Sequence, residues 1–467
     1  MKTLATVIPT AEQLPIISNP QAGVTLIRGA AGSGKTTTAL LMLRQLSEFW
    51  VRHRERLGNF DPVRVLVLTY NRTLQGYISH LAKQQSPSSL QANIDVTTFG
   101  KWARKLVPYP GMIDYETHKH IILTHGSALG LSEDFLLDEV DYCLGRFLSE
   151  DRDSYLTAKR IGRGITPRME KPLRERLLND VVVPYDDYKE TKGLQDWNDL
   201  ALKLIATPQD CRYDIIIADE TQDFSANQIR AVISHASELC TKVFVLDAAQ
   251  RIYPRGWTWK DVGILINPNR SFRLQDNHRN TKEICRLAKP LLDGLDLSDD
   301  GTIPNLESCT RSGSVPTIIK GRFSAQCSHA ISSIINTIDL TQDSVAFVHP
   351  KAGRWFDYIR QELHKSDLDF VELAKRSDWP EGSENIALIS MHSIKGLEFD
   401  HIFILGFDKY TTPHGNEDGD TAWENLRRLL AMTITRARQT VTIGCKPKEA
   451  SSLIGCLDPE SYQSINL

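Results

Sequence analysis

The sequence predicts an α/β protein with two parallel β-sheet domains and a helical insertion in the first. Three observations lead to this prediction: short β-branched apolar runs, helix-like stretches that follow several of them, and a charged helical tract that interrupts the first series of runs. Apolar runs of this length are typical of strands buried on both faces, and alternation of strand with helix is typical of parallel sheets. Functional residues are then expected at the carboxyl ends of the strands.

The first series of apolar runs defines the first domain. Its five runs are residues 24–29, 63–70, 94–99, 213–220 and 242–250. Between the third and fourth runs the pattern changes to helical periodicity and charge, as in RMEKPLRERLLND. We therefore predict a first domain over residues 1–105 and 195–277, interrupted by a helical insertion over residues 106–194.

A second series of apolar runs indicates a second α/β domain. Its runs are residues 315–320, 344–350, 385–393, 401–407 and 440–445. The second domain is predicted over residues 278–467.

The composition is that of a soluble globular protein and excludes several classes of function. The 467 residues are 41% hydrophobic and carry a net charge of −3, so nucleic acid could be bound only by a local groove. The eight cysteines form no Cys-x-x-Cys pair, which argues against zinc or iron–sulfur sites. No signal peptide and no apolar run of ~18 residues is found, so we expect a cytoplasmic protein.

A phosphate-binding loop follows the first predicted strand. The pattern Gly29-x-x-x-x-Gly34-Lys35-Thr36 lies between a strand and a helix, where a glycine-rich turn and a helix N-terminus bind phosphate. Lys35 is expected to reach the β- and γ-phosphates, and Thr36 to ligate Mg²⁺. The alternative is a glycine-rich turn without a ligand. The predicted nucleotide-binding residues of this segment are Gly29, Ala30, Ala31, Gly32, Ser33, Gly34, Lys35, Thr36 and Thr37.

A pair of carboxylates follows the fourth predicted strand, in IIIADETQDF. Asp219 is the predicted Mg²⁺ ligand, and Glu220 is the predicted general base that polarises the attacking water. Acidic pairs after strands are also common as solvated loops. Together with the phosphate-binding loop, however, the pair is typical of a nucleotide hydrolase.

The segment that contains this carboxylate pair, together with others along the chain, resembles superfamily 1 helicases of the UvrD/Rep type. DETQDFSANQ is similar to that family's second motif, and further segments follow in the family's order. These segments are TAEQLPII, VLTYNRTLQGYI, VTTFGKWARKL, GLQDWNDLALKLI, VFVLDAAQRIY, LQDNHRN, SMHSIKGLEFDHIFILG and RRLLAMTITRARQTVTI. Together they cover residues 10 to about 445.

The resemblance implies two RecA-like P-loop domains, 1A and 2A, with the insertion 1B in the first and ATP bound between the two sheets. Gln13 would read the adenine, and Gln250 would sense the γ-phosphate. Arg279 and Arg436 would supply positive charge to the transition state. The remaining implied nucleotide contacts are His278, and Glu398 and Gly396, which would lie near the ribose and the γ-phosphate. The catalytic residues are thus Lys35, Glu220, Gln250, Arg279 and Arg436.

The function implied is an ATP-dependent single-stranded DNA translocase or helicase that moves in the 3′→5′ direction. Aromatic side chains grip single strands without sequence preference. The segments VLTYNRTLQGYI and VTTFGKWARKL resemble early DNA-contacting motifs of the family. The candidates inside or beside the motifs that contact DNA in the family are Tyr70, Phe99, Trp102, Trp257, Trp259 and His392. A position in the core is the alternative for each.

The chain departs from the family pattern in three places. After Gln250 it reads RIYPRGWTWKD where the family has an aromatic residue followed by Arg-Gly, so Trp257 or Trp259 would replace the base-stacking aromatic. His278 occupies a position where the family usually has a tyrosine that stacks on adenine. Only residues 374–384 separate two runs of the second series, which leaves no room for the family's 2B subdomain. We therefore expect weak unwinding by the chain alone and action beside a protein partner such as a nuclease, in a repair or anti-phage complex.

Two other functional classes remain open from the sequence. One is an ATP-gated nucleic-acid sensor or scaffold that binds DNA or RNA without unwinding. The other is a P-loop kinase or small-molecule NTPase, which would leave the later motifs unexplained. RNA stays an alternative track because a single-strand groove accepts both sugars.

Overall fold

The computed structural model of the protein describes residues 9–29, 32–69, 75–76, 78–79, 91–160, 168–207, 212–246, 256–295, 309–351, 353–373, 380, 382, 384–412 and 421–467. Its strands form two large parallel sheets and one small pair. Each of the ten apolar runs predicted as a strand contributes one. The predicted fold class, two parallel-sheet α/β domains with a helical insertion, is confirmed.

The first sheet has six strands, in the order β3-β2-β4-β5-β1-β6, and every neighbouring pair is parallel. Its strands are β1 Gly23–Gly29, β2 Val63–Thr69, β3 Ala92–Thr98, β4 Tyr213–Ala218, β5 Ala236–Leu246 and β6 Ser271–Leu274. The short β6 was not predicted, because its sequence SFRL lacks a continuous apolar run. Since all strands run in one direction, the loops after β1, β3 and β4 meet at one edge of the sheet.

The helices before residue 278 surround this sheet or form the insertion. They are α1 Leu14–Ile17, α2 Lys35–Arg56, α3 Phe99–Leu106, α4 Tyr115–Gly126, α5 Glu133–Arg146, α6 Lys171–Arg176, α7 Val183–Lys192, α8 Trp197–Ala206 and α9 Ala226–Ser234. Capping boxes start α8 at Asp196 and α9 at Ser225, which satisfies backbone N–H groups that the helices cannot pair internally.

The insertion consists of α4 to α7, with a π-helical stretch over Leu177–Val182 between the last two. Its buried side chains form a hydrophobic cluster of their own, which includes Ile122, Val140, Leu144 and Val181. At its return to the first domain, Lys189 on α7 donates to Asp196 at 2.9 Å and to Asp199 at 2.7 Å. The insertion therefore has a hydrophobic cluster of its own. It is joined to the first domain by this buried ion-pair network and by Asn227 on α9, which donates to the carbonyls of Leu144 and Phe147.

The second sheet has seven parallel strands, in the order β11-β12-β10-β13-β14-β9-β15. A separate parallel pair precedes it, β7 Asn277–Thr281 with β8 Cys309–Arg311. The sheet strands are β9 Thr317–Lys320, β10 Val345–His349, β11 Phe370–Glu372, β12 Ile386–Ser390, β13 Phe399–Ile404, β14 Ala437–Cys445 and β15 Gln463–Asn466. The helices are α10 Lys282–Ala288, α11 Phe323–Thr337, α12 Trp355–Lys365 and α13 Thr421–Ile434. Residues 373–385 alone connect β11 to β12.

The two sheets share one hydrophobic cluster. It runs from Leu43 on α2 through Ile284 and Leu287 on α10 to Ile389 on β12 and Leu430 on α13. The two sheets are therefore packed onto each other through the helices at their junction. Within the described ranges, no helix has the length and apolar character needed to cross a membrane.

Candidate nucleotide site and nucleic-acid interface

The phosphate-binding loop turns from β1 into α2 through two left-handed glycines. Gly32 has a φ of +84° and Gly34 a φ of +77°. A Cβ at Gly32 would lie 2.3 Å from Oδ1 of Asn277, and one at Gly34 would lie 2.4 Å from Nε2 of Gln13. Glycine is therefore required at both positions, by conformation and by space. The helix α2 starts at Lys35. The backbone N–H groups of a first helical turn have no carbonyl partner within the helix and favour anions.

Thr36 and Asp219 provide two adjacent oxygen ligands for a divalent cation. The Thr36 hydroxyl donates to Oδ2 of Asp219 at 2.9 Å. Two ligands at right angles in an Mg²⁺ octahedron are separated by a similar distance, about 3.0 Å, since each Mg–O distance is roughly 2.1 Å. The pair therefore fits the edge of a magnesium coordination shell.

Asp219 and Glu220 are both buried, and their pKa values move in opposite directions. Burial, followed by the charge of Glu220, raises the pKa of Asp219 to about 7. Burial alone would also raise the pKa of Glu220, but the cations of Lys395, Arg436 and Lys35 outweigh it and lower that pKa. Glu220 is therefore the carboxylate that stays ionised, as a general base must.

The backbone of Glu220 is held in an uncommon conformation. Its φ is +53°, and Asp367 is the only other non-glycine residue with a positive φ in the part of the chain that the structure describes. Gln222 donates to Oε2 of Glu220 at 2.6 Å, and Lys395 Nζ lies 3.2 Å from the same oxygen. Backbone strain of this kind persists where surrounding contacts fix a functional group in place.

Lys395 is a residue of this site that the sequence did not single out. Its ammonium group is buried and contacts the carboxylates of Glu220 and Asp223, although it comes from the second domain. Burial acts to lower the pKa of Lys395, but the carboxylates of Asp223 and Glu220 raise it by more. The net pKa lies above its ordinary value, so the side chain is charged. A single lysine among apolar residues in SIKGLEF, beside Gly396, was the available signal.

The two predicted transition-state arginines lie in different surroundings. Arg436 is 4% exposed and its charge lowers the pKa of Glu220, so it lies near the predicted general base. Arg279 instead pairs through Nη2 with Glu398. The Nε and Nη1 groups of Arg279 are buried and have no hydrogen-bond partner among the described residues. They are donors that a bound anion would satisfy.

The strand β7 joins the phosphate-binding loop to the end of the second domain. Asn277 lies against Gly32, and Arg279 N and Asn280 N donate to its Oδ1 at 3.1 and 3.0 Å. Asn280 Nδ2 donates to the carbonyls of Thr435 at 2.9 Å and Ala437 at 2.6 Å, on either side of Arg436. The asparagines thus connect three segments of the site, and sequence reasoning did not identify them.

The other predicted nucleotide residues lie around the same loop. Gln13 Nε2 donates to the carbonyl of Gly34 at 3.3 Å, while Thr10 N donates to Gln13 Oε1 at 3.0 Å. Thr37 is half-buried in the first turn of α2, and Gly396 has a φ of +83° in the turn that follows Lys395. Gly29 ends β1, where a Cβ would meet Oγ of the buried Ser33 at 2.4 Å.

Two of the predicted base-stacking aromatics are core residues. Phe99 is 5% exposed and Trp102 1% exposed, and both belong to the hydrophobic cluster on one face of the first sheet. Trp102 Nε1 donates to the Tyr213 hydroxyl at 3.2 Å, and its ring packs on His235. The prediction that Phe99 and Trp102 stack on bases is therefore corrected. Sequence position beside a motif did not reveal that α3 turns these side chains inward.

The other described aromatics keep some exposure. Trp257 and Trp259 form an edge-to-face pair with ring centroids 5.0 Å apart, and Trp257 Nε1 donates to the Phe224 carbonyl at 2.7 Å. Trp259 also packs on Phe244, so each ring offers only part of its surface. His392 is exposed in the turn after β12. These three remain predictions as nucleic-acid contacts.

Five predicted site residues are not covered by the described part of the structure. Ala30, Ala31, Tyr70 and Gln250 lie outside the described residues, and so does the side chain of His278.

Comparisons with known proteins follow the division between the two sheets. The UvrD/REP helicase N-terminal domain matches residues 10–272, and the UvrD-like helicase C-terminal domain matches residues 354–446. A Mycoplasma pneumoniae protein named probable DNA helicase is 24% identical over 278 residues, which cover 55% of this chain and 49% of that protein.

Two further relatives are similar over shorter stretches. The ATP-dependent DNA helicase PcrA of Staphylococcus aureus is 35% identical over 81 residues, 17% of this chain and 11% of that protein. The ATP-dependent DNA helicase UvrD1 of Mycobacterium leprae is 35% identical over 114 residues, 24% of this chain and 14% of that protein. The matched part of the chain spans about half the length or less of each of these relatives.

Proposed function

This chain belongs to the UvrD/REP helicase family, and from that premise we propose that it is an ATP-driven motor that moves 3′→5′ on single-stranded DNA. The observation that carries the proposal is the environment of Glu220. Its carboxylate is held among three cations, Lys35 from the phosphate-binding loop and Lys395 and Arg436 from the second domain. A hydrolytic base is thus surrounded by groups from both domains of the fold.

The residues divide the hydrolysis of ATP among them. The phosphate-binding loop and Lys35 would hold the β- and γ-phosphates, and Glu220 would orient and deprotonate the attacking water. Arg279 and Arg436 would stabilise charge on the transferred phosphoryl group. Thr36 and Asp219 would hold Mg²⁺, which neutralises phosphate charge when bound.

Movement would follow from exchange of ion pairs at the junction of the domains. Lys395 pairs with Glu220 and Asp223, and Arg279 pairs with Glu398. A bound γ-phosphate competes for these cations. The second domain would therefore alternate between two arrangements as ATP binds and is hydrolysed. Repetition of this exchange on a bound strand is translocation.

The short connection between β11 and β12 supports a division of labour with another protein. Residues 373–385 replace any large insertion at this point. We therefore propose weak duplex unwinding by the chain alone, and action with a partner such as a nuclease in a repair or anti-phage complex.

The test is ATP hydrolysis across a panel of single-stranded DNA, single-stranded RNA and duplexes with 3′ or 5′ tails. We expect single-stranded DNA to stimulate hydrolysis. Because the proposed movement is 3′→5′, streptavidin should be displaced from the 5′ end of a biotinylated strand and not from the 3′ end. Stimulation without displacement from either end would support an ATP-gated sensor. Hydrolysis indifferent to every nucleic acid would contradict the proposal.

A further inference from the structure

Two cysteine thiols lie side by side next to β7. Cys285 is on α10 and Cys309 is the first residue of β8, and their sulfur atoms are 2.9 Å apart although the residues are separated by 24 positions in sequence. Both residues are buried, with exposed fractions of 0% and 1%. A closure of about 0.9 Å would bring the two sulfurs to disulfide bonding distance. The fold therefore holds a ready pair of thiols inside the second domain.

The hydrogen bond between the thiols makes one of them the better nucleophile. This bond lowers the pKa of Cys309 and raises the pKa of Cys285. Burial acts against ionisation of both thiols, whereas the charge of Lys282 further favours the thiolate of Cys309. Since the thiolate is the nucleophilic form, Cys309 is the residue that would attack an oxidant. Cys285 keeps its proton and is placed to resolve the product.

The thiol pair contacts the asparagine that links β7 to the phosphate-binding loop. Asn277 Nδ2 donates to Cys285 Sγ at 3.4 Å, and Asn277 is aligned with Cys309 between β7 and β8. The same side chain lies against Gly32 and accepts a hydrogen bond from the backbone N–H of Arg279 at 3.1 Å. A covalent bond between α10 and β8 would therefore restrain the residue that positions Arg279.

A restraint at this place would oppose the rearrangement that hydrolysis requires. Arg279 pairs with Glu398 in the structure and has to exchange that carboxylate for phosphate when ATP is bound. Its strand β7 lies between β8 and the start of α10 in the packing of this region. A disulfide across these two elements would limit the movement of β7 and so slow the exchange.

The burial of the pair favours a small oxidant. The strands β7 and β8 form a two-stranded pair separate from the two large sheets, with a shift of register between Asn277 and Thr281. Pairs of this kind have few inter-strand hydrogen bonds and open locally more easily than large sheets. Such an opening admits hydrogen peroxide, which is little larger than water, more readily than a peptide disulfide such as glutathione disulfide.

We propose that Cys285 and Cys309 form a peroxide-sensitive dithiol site, and that its oxidation to a disulfide slows ATP turnover. The thiolate of Cys309 attacks one oxygen of hydrogen peroxide and breaks the O–O bond, which gives a sulfenic acid and a hydroxide that the proton lost from Cys309 converts to water. The sulfur of Cys285 then attacks the sulfenic sulfur, and its proton leaves with the hydroxyl group as a second water. Two thiols are oxidised to one disulfide, and one peroxide is reduced to two waters.

The experiment treats the purified protein with hydrogen peroxide, removes the peroxide with catalase and maps the peptides by mass spectrometry without reduction. We expect a peptide pair linked through Cys285 and Cys309, which dithiothreitol separates. DNA-stimulated ATP turnover of the same sample should fall by about threefold or more and recover with dithiothreitol. Glutathione disulfide at the same concentration should give less of the linked peptide.

Two variants separate this site from the other cysteines. Cys309→Ser removes the attacking thiol, so its ATP turnover should no longer fall reversibly with peroxide. Cys143→Ser is the matched control, because Cys143 is equally buried but lies in the insertion, on α5. It should keep both the linked peptide and the loss of turnover.

The effect on turnover rests on the proposed function, whereas the disulfide does not. Absence of the linked peptide, or a linked peptide with undiminished turnover, would overturn the inference. If Cys309→Ser fails to fold, the wild-type protein before and after dithiothreitol still gives both measurements. Reduced protein that hydrolyses no ATP would instead contradict the proposed function, and the peptide map alone would then decide whether the dithiol site exists.

Discussion

The two walls of the nucleotide site are built in different ways. The first wall, Lys35, Thr36, Asp219 and Glu220, lies at one edge of one sheet and is supported by bonds such as Thr36 to Asp219. The second wall, Arg279, Lys395, Glu398 and Arg436, comes from three separate segments of the second half of the chain.

Lys395 and Arg279 of the second wall are each already paired with a carboxylate, although two donors of Arg279 have no partner among the described residues. Lys395 contacts Glu220 and Asp223, and Arg279 contacts Glu398. The first wall can accept a nucleotide as it stands, whereas the second must exchange carboxylates for phosphate. We infer that the first wall provides the groups that hydrolysis requires. Rearrangement of the second wall would control the timing of hydrolysis.

The largest expected effect comes from damage to the first wall. Lys35→Ala or Glu220→Gln removes a group that acts directly on the phosphate or the water, so DNA-stimulated kcat should fall at least ~100-fold. Steady-state ATPase assays measure it, with Glu48→Gln on the exposed face of α2 as a control. Comparable turnover in Glu220→Gln would show that another group is the base.

Removal of the lysine that bridges the walls should be the next most severe change. Lys395→Met leaves the buried carboxylates of Glu220 and Asp223 without their cation, which costs about 3–5 kcal/mol of unfolding free energy. Because Lys395 lowers the pKa of Glu220, the acid limb of the pH–rate profile should also move to higher pH.

Urea denaturation and the pH dependence of kcat test this effect of Lys395. Lys395→Arg is the matched control, since it keeps the charge. An unshifted pH profile in Lys395→Met would separate Lys395 from catalysis and leave it a structural role only.

Substitutions in the Arg279–Glu398 pair of the second wall should have smaller effects. The two variants should also differ in which kinetic constant changes. Arg279→Ala should lower kcat by about tenfold or more, because its buried donors act on transition-state charge. Glu398→Gln should mainly raise the KM for ATP, since a contact to the ribose stabilises the ground and transition states equally. Equal changes in both kinetic constants for the two variants would mean that the pair acts as one unit.

The first wall could be predicted almost entirely from the sequence, and the second only in part. Gly34, Lys35 and Glu220 lie in contiguous motifs whose spacing fixes their geometry. Lys395 and Asn280 act through contacts across more than a hundred residues, and no local pattern reports such contacts. Burial was equally invisible, since the motif that contains Trp102 does not say which face of α3 packs on the sheet.

The smallest expected effect is a loss of unfolding free energy in mild acid, caused by His349 in the second domain. Burial, followed by the charge of Lys351, lowers the pKa of His349 to about 3, below the unfolded value of about 6.5. The stability from neutral His349 is therefore present above pH 6.5 and is lost as the pH falls towards 3. Between pH 6 and 5 the loss should be roughly 1 kcal/mol.

Urea denaturation at the two pH values measures the contribution of His349. The Asn side chain of His349→Asn does not titrate. In this variant the contribution of residue 349 to the slope of unfolding free energy against pH should vanish. A slope as steep as in wild type would assign the acid sensitivity to other groups.

The insertion, whose buried residues form their own cluster, has a consequence for amide hydrogen exchange. Among the residues that the structure describes, Val140, Leu144 and Val181 share no hydrophobic cluster with either sheet. Regions that pack independently open as separate cooperative units. The amides of α5 and α7 should therefore exchange as one group with a single opening free energy, distinct from that of β1 and β4. A denaturant series of exchange spectra would then show the insertion opening while the motor remains folded.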